Sequence, residues 1–117
     1  MRMPESMLRV MNVVWENENI SAKEIADTLK AMYGWNKNTT YTVINQCIKR
    51  GWIARTEPNF KCRALLTRGE CQKDELNCLL NNVFAGSVSQ LFSTLAASRN
   101  LSEEDISELE DLISKLK

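Results

Sequence analysis

Apolar residues first recur with a helical period. Leu8, Met11 and Trp15 stand at i, i+3 and i+7, with Met7, Val10 and Val14 widening the stripe, so the spacing predicts an amphipathic helix opened by Pro4 and Glu5. Asn17, Glu18 and Asn19 interrupt that pattern, and Ile20 stands alone as a very short strand. Ser21 and Glu24 form an S-x-x-E capping box, in which each side chain is expected to satisfy an unpaired backbone N–H at a helix start. The helix that follows runs from Ala22 to about Tyr33, with Ile25, Ala26, Leu29 and Met32 or Tyr33 as its buried stripe. Gly34 ends it by allowing positive φ, Trp35 anchors the turn, and Asn36 caps a further helix that closes at Gly51.

Beyond Gly51 the period shortens to about two. W-I-A-R-T-E and F-K-C-R-A-L-L flank the turn dipeptide Pro58-Asn59 and predict a β-hairpin, a wing over residues 53–66. Three helices and a hairpin in this order make a winged helix-turn-helix. From Arg68 the pattern is helical again. Leu76, Leu79, Leu80, Val83 and Phe84 form one stripe, ended by Gly86; Val88, Leu91, Phe92 and Leu95 form a second; a helix started by Asn100 or Ser102 carries Ile106, Leu109, Leu112, Ile113 and Leu116. Three short amphipathic helices have little of their own to pack against, and a symmetric dimer buries their stripes in one shared core. The alternative is that they fold back onto the winged helix. The expected fold is mainly α with a small β-hairpin: a winged helix-turn-helix over 1–68, then a helical dimerisation region over 69–117.

The helix from Asn36 to Lys49 has two unlike sides. Val43, Ile44, Cys47 and Ile48 gather on one with Thr40 and Tyr41; Asn38, Thr39, Thr42, Asn45, Gln46 and Lys49 gather on the other. Amides and hydroxyls in a row can pair with base edges and phosphate oxygens in a major groove, whereas Thr and Asn are weak helix formers with no reason of their own to be there. An ordinary solvated face remains the alternative.

Charge changes that picture. Net charge over the whole chain is zero, but residues 36–68 carry Lys37, Lys49, Arg50, Arg55, Lys61, Arg63 and Arg68 against Glu57 alone, a net of +6, while residues 69–117 carry a net of −5. A basic segment that contains the polar helix and the wing points to an anionic partner, double-stranded DNA. Arg55, Lys61 and Arg63 would lie over phosphates, although strand edges also use cations to discourage pairing. The DNA-contact candidates are Asn36, Lys37, Asn38, Thr39, Thr42, Asn45, Gln46, Lys49, Arg50, Arg55, Lys61 and Arg63. A winged-helix module that docks an acidic protein surface is the competing reading.

Other chemistries are poorly supplied. There is no histidine, and cysteines at 47, 62, 71 and 78 have none of the spacings that chelate metals, so no metal or cofactor is expected. Cys47 reads as a small core residue; Cys71 and Cys78 stand close enough along one helix to approach a partner chain, which with Cys62 leaves a redox role open. No Gly-rich phosphate loop and no nucleophile beside a base suggest an enzyme. Asp74-Glu75 and Glu103-Glu104-Asp105 are helix-dipole partners rather than acid clusters. No apolar run approaches a bilayer span and the N-terminus lacks an apolar signal region, so the expected location is the cytoplasm.

Several stretches resemble the penicillinase and methicillin-resistance repressor family, which also contains the copper-transport operon repressors: M-N-V-V-W at 11–15, I-S-A-K-E-I at 20–25, W-N-K-N-T-T-Y-T-V-I at 35–44, I-K-R-G-W-I at 48–53 and L-S-E-E-D-I-S-E-L at 101–109. The resemblance implies a dimeric winged-helix repressor of an inverted-repeat operator that dimerises through its three C-terminal helices. By position it implies groove contacts from Asn36, Asn38, Thr39, Thr42 and Gln46, and wing contacts from Lys61 and Arg63. Asn38 and Gln46 stand where the penicillinase repressors are expected to have basic side chains. A sensor-activated protease is an implied further partner, since antibiotic-responsive members are cut at an Asn-Phe bond in the dimerisation region. The matching segment here is Ser93-Thr94-Leu95, without that pair, and the C-x-C motifs of the copper-responsive members are also missing from the C-terminus.

Overall fold

A computed structural model describes residues 3–98 and 101–117. In chain order it contains α1 (Glu5–Glu16), β1 (Ile20–Ser21), α2 (Ala22–Tyr33), α3 (Lys37–Lys49), β2 (Ile53–Thr56), β3 (Lys61–Ala64), α4 (Arg68–Asn82), α5 (Val88–Ala97) and α6 (Glu103–Leu116). Two compact units divide between Glu75 and Leu76. The division falls inside α4 instead of at its start, because the first turns of α4 belong to the winged-helix core: Cys71 is buried there, and Glu75 Oε1 accepts a 2.6 Å hydrogen bond from the Met3 N–H.

In the first unit, α1, α2 and α3 close around Val10, Met11, Ile25, Leu29 and Ile44, with Trp52, Ile53 and Cys62 from the sheet side. The helix stripes are therefore those the spacing predicts, with differences at their edges. On α1 the deepest residues are Met7, Val10, Met11, Val13 and Val14, while Leu8 and Trp15 are partly buried. Trp15 sits at the margin because its indole needs a partner, and its Nε1–H donates to the Leu66 carbonyl at 2.9 Å. The buried stripe of α2 stops at Leu29. Neither Met32 nor Tyr33 joins it, at 61% and 45% exposure, since the last turn of α2 has run past the core by then.

At the start of α2 one expectation is met and enlarged, and a second is met in half. Ile20 and Ser21 do form a strand, but it is a full member of the sheet: β1 pairs antiparallel with β3, which pairs with β2, so the predicted hairpin is the larger part of a three-stranded sheet. Two residues are too few to declare a period of two. Half of the Ser21 capping box forms. Ser21 Oγ accepts from the Glu24 N–H at 3.1 Å, but Glu24 Oε1 meets the Ser21 hydroxyl instead of a backbone N–H. A reciprocal box appears at α6, where Ser102 accepts from the Asp105 N–H and Asp105 from the Ser102 N–H. Ser102 thus starts that helix; Asn100 lies outside the described residues.

Among the described residues, one buried side-chain polar atom is left without compensation. Thr40 on α3 is fully buried, and its Oγ1 has no hydrogen-bond partner. A buried hydroxyl that gives up water without a replacement costs about 1–3 kcal/mol, and valine has the same shape without that debt. Thr40→Val is expected to raise the unfolding midpoint by the equivalent of about 1 kcal/mol, checked by chemical denaturation; a lower midpoint would show that the hydroxyl is paired.

The second unit comprises the end of α4 with α5 and α6. No described residue from 76 to 117 is buried. Leu80, Phe84, Leu91, Leu95 and Leu109 are half-buried, whereas Leu76, Leu79, Val83, Val88, Phe92, Ile106, Leu112, Ile113 and Leu116 are exposed. Among the described residues no helix is long and apolar enough to cross a membrane.

Candidate nucleic-acid interface

The site begins with the turn into α3. Gly34 takes φ +70°, a left-handed conformation that a side chain would resist, and its N–H closes α2 on the Lys30 carbonyl at 2.9 Å. Two residues later Asn36 Oδ1 accepts from the Asn38 N–H at 2.7 Å and caps α3. Trp35, between them, packs against the core. Val43, Ile44 and Cys47 then bury one face of α3 with Thr40. The opposite face is held outward as a consequence: Asn38, Thr39, Thr42, Asn45, Gln46 and Lys49 are all exposed, as are Asn36 and Lys37 at its N-terminal end.

Hydrogen bonds within the helix decide what these groups can still offer. Asn36 has committed its oxygen to the cap, so its amide NH2 is what remains to donate outward. The Thr42 hydroxyl donates to the Asn38 carbonyl at 2.9 Å, which leaves its lone pairs to accept and its methyl to make apolar contact.

The basic segment is less uniform than its count suggests. Arg55 is held on its own hairpin: Nε donates to Glu57 Oε1 at 2.6 Å and the guanidinium lies 3.7 Å from the Phe60 ring centroid. The Phe60 N–H and the Arg55 guanidinium hold the Glu57 carboxyl below its usual range, so at neutral pH this pair cancels. Arg68 points to the scaffold, 2.8 Å from Glu16 and 5.4 Å from the Trp15 ring. Arg50, at the C-cap of α3, lies 5.4 Å from the Trp52 ring, and the Lys37 ammonium lies 5.7 Å from the Tyr41 ring. Lys61 and Arg63 flank buried Cys62 on β3 and so face away from the core by the alternation of a strand, with Arg63 exposed and Lys61 half-buried.

Burial raises the Cys47 thiol to about 12 and the Cys62 thiol to about 11, and also pushes Cys71 up. These sulfurs stay protonated and act as small core groups. Cys71 does not reach toward a partner chain, because its side of α4 is packed into the first unit; Cys78 is half-buried. Among the described residues no group of three or more acidic, cysteine or histidine side chains could hold a metal ion.

One cluster beside the site has no signal in the spacing. Arg9 of α1 meets Tyr33 and Trp35 at the turn into α3, and only the folded chain brings these residues together.

A family model described as Penicillinase repressor matches residues 5–115. The methicillin resistance regulatory protein MecI of Mammaliicoccus sciuri is 26% identical over 108 residues, 91% of this chain and 88% of that protein. The penicillinase repressor of Staphylococcus aureus is 23% identical over 109 residues, 92% of this chain and 86% of its own length. Among solved structures, the multiple antibiotic-resistance repressor MarR from Listeria monocytogenes superposes with a TM-score of 0.53 at 14% identity, covering 97% of this chain and 72% of that one, a likeness of fold.

Proposed function

The chain belongs to the penicillinase repressor family and is a DNA-binding transcriptional repressor, and from that premise we propose that it binds an inverted-repeat operator as a homodimer, with α3 of each protomer in a major groove. The observation that carries this reading is the outward row of amides and hydroxyls on a capped helix whose other face is locked in the core. Asn36, Asn38, Thr39, Thr42, Asn45 and Gln46 have the donors and acceptors that base edges match. Lys37, Lys49, Arg50, Lys61 and Arg63 supply the phosphate attraction, with the wing beside the groove. Arg55 contributes little while Glu57 holds it. Two such helices in a two-fold dimer call for half-sites on one face of the duplex, about one or two helical turns apart.

Among the described residues, nine exposed large apolar side chains between Leu76 and Leu116 support the dimer. A second copy presents the same unsatisfied faces, so one symmetric contact covers both. A sensor-activated protease is proposed as a partner on family grounds alone. Ser93, Thr94 and Leu95 lie inside α5, so a cut there requires that helix to open locally first.

Fluorescence anisotropy with the DNA upstream of the chain's own gene tests the division of labour. Gln46→Ala or Thr39→Ala is expected to cost about 1–3 kcal/mol at the cognate site and to relax preference at one base position. Lys61→Ala should weaken every sequence alike. A Gln46→Ala chain with unaltered base preference would remove α3 from the groove.

A further inference from the structure

We propose that Arg9 is a positioning residue for DNA recognition: from α1 it clamps the Tyr33–Trp35 turn and thereby sets the approach of the first turn of α3 to the groove. The inference rests on the reading that α3 contacts bases. Its guanidinium carbon lies 3.9 Å from the Tyr33 ring centroid and 6.0 Å from that of Trp35, and the two rings are 6.5 Å apart. Arg9 NH2 also donates to Glu5 Oε1 at 2.9 Å, one helical turn back on α1. The cation is thus fixed from one side by a carboxylate and set over an aromatic ring.

The position of this contact gives it leverage. Tyr33 is the last residue of α2, Trp35 the last before the cap, and Asn36 the cap itself. The middle and end of α3 are anchored by Val43, Ile44 and Cys47, but its first turn contributes no buried residue before Thr40. Lys37, Asn38 and Thr39 are therefore aimed by the turn that precedes them, and Arg9 is what ties Tyr33 in that turn to α1. Tyr33 is 45% exposed, so core packing alone does not fix it. Arg9 itself is a poor candidate for phosphate contact, since its charge is paired with Glu5 and set over the ring.

Such a role separates recognition from attraction. The test measures binding of the full chain to two duplexes of equal length at one salt concentration: one carrying the site that the wild-type chain selects from random-sequence DNA, the other a scrambled version. Arg9→Met is expected to weaken the selected site roughly 3- to 30-fold, the range a desolvated or exposed cation–π contact spans, with the scrambled duplex unchanged. Arg9→Lys should recover part of the loss, because an ammonium can sit over the ring but cannot stack on it. Tyr33→Leu should reproduce the defect, and the double variant should be no worse than either single one. It also serves if Arg9→Met fails to fold. Equal losses on both duplexes would make Arg9 a phosphate contact and overturn the proposal. So would an unaltered preference, including one accompanied by a lower unfolding midpoint. A wild-type chain that selects no sequence at all would instead overturn the base-reading role of α3, and this inference with it.

Discussion

A chain carrying both Leu79→Asp and Leu112→Asp is expected to sediment as a monomer and to bind a two-half-site operator about 10²–10⁴-fold more weakly than the wild type. The two leucines belong to the unit in which no described residue is buried, at 43% and 58% exposure. Carboxylates at both positions would have to be desolvated in any interface that covers these faces, whereas in an unpaired chain they simply face water. The loss in affinity comes from connectivity. Once one winged helix of a dimer is bound, the second sits near its half-site at an effective concentration in the millimolar range, and a monomer forfeits that second event. Affinity for an isolated half-site should therefore be unchanged. Sedimentation velocity gives the oligomeric state and anisotropy the two affinities; a variant that stays dimeric, or a monomer that binds the full operator as tightly, would refute the assignment of this face.

The second large effect is on ionic strength. Lys37, Lys49, Arg50, Lys61 and Arg63 lie on α3, at its C-cap and on β3, so five phosphate contacts per protomer give about ten for a dimer. Ten released counterions correspond to a fall in affinity of about 10⁵-fold between 50 and 200 mM salt. Counting every cation from 36 to 68 would predict a steeper slope, but Arg55 is cancelled by Glu57 and Arg68 is paired with Glu16. The slope of log K against log salt distinguishes the two counts, and a flat line would exclude phosphate neutralisation altogether.

The elements that periodicity describes well were legible in the sequence. Stripes on α1, α2 and α3, the Gly34 stop and the Asn36 cap all follow from residue type and spacing. What was not legible depends on partners distant along the chain. The short strand at Ile20 was read as standing alone because its partner edge on β3 lies about forty residues away, and Trp15 leaves the centre of its stripe because the Leu66 carbonyl is where its N–H is satisfied. Cys71 looked like a surface residue of a dimerisation helix, yet the start of α4 is part of the first unit's core. The outward face of α3 was readable as a set of donors and acceptors. The hydrogen bond that spends the Thr42 proton was not, since it depends on the rotamer adopted in the folded helix. Charge counting located a basic segment but could not tell a displayed cation from one folded onto Phe60.

The absence of any buried residue among those described from 76 to 117 also bears on how sharply a gene under this repressor would respond. If two chains must meet before either closes its C-terminal core, folding of that unit is coupled to protomer concentration. At scarcity, the operator-competent form then grows with the square of the number of chains. Halving the supply, by dilution in a growing cell or by removal of one chain in two, cuts it about fourfold by the same mass action. A shallow change in repressor abundance becomes a steeper change in operator occupancy, without any effector having to bind.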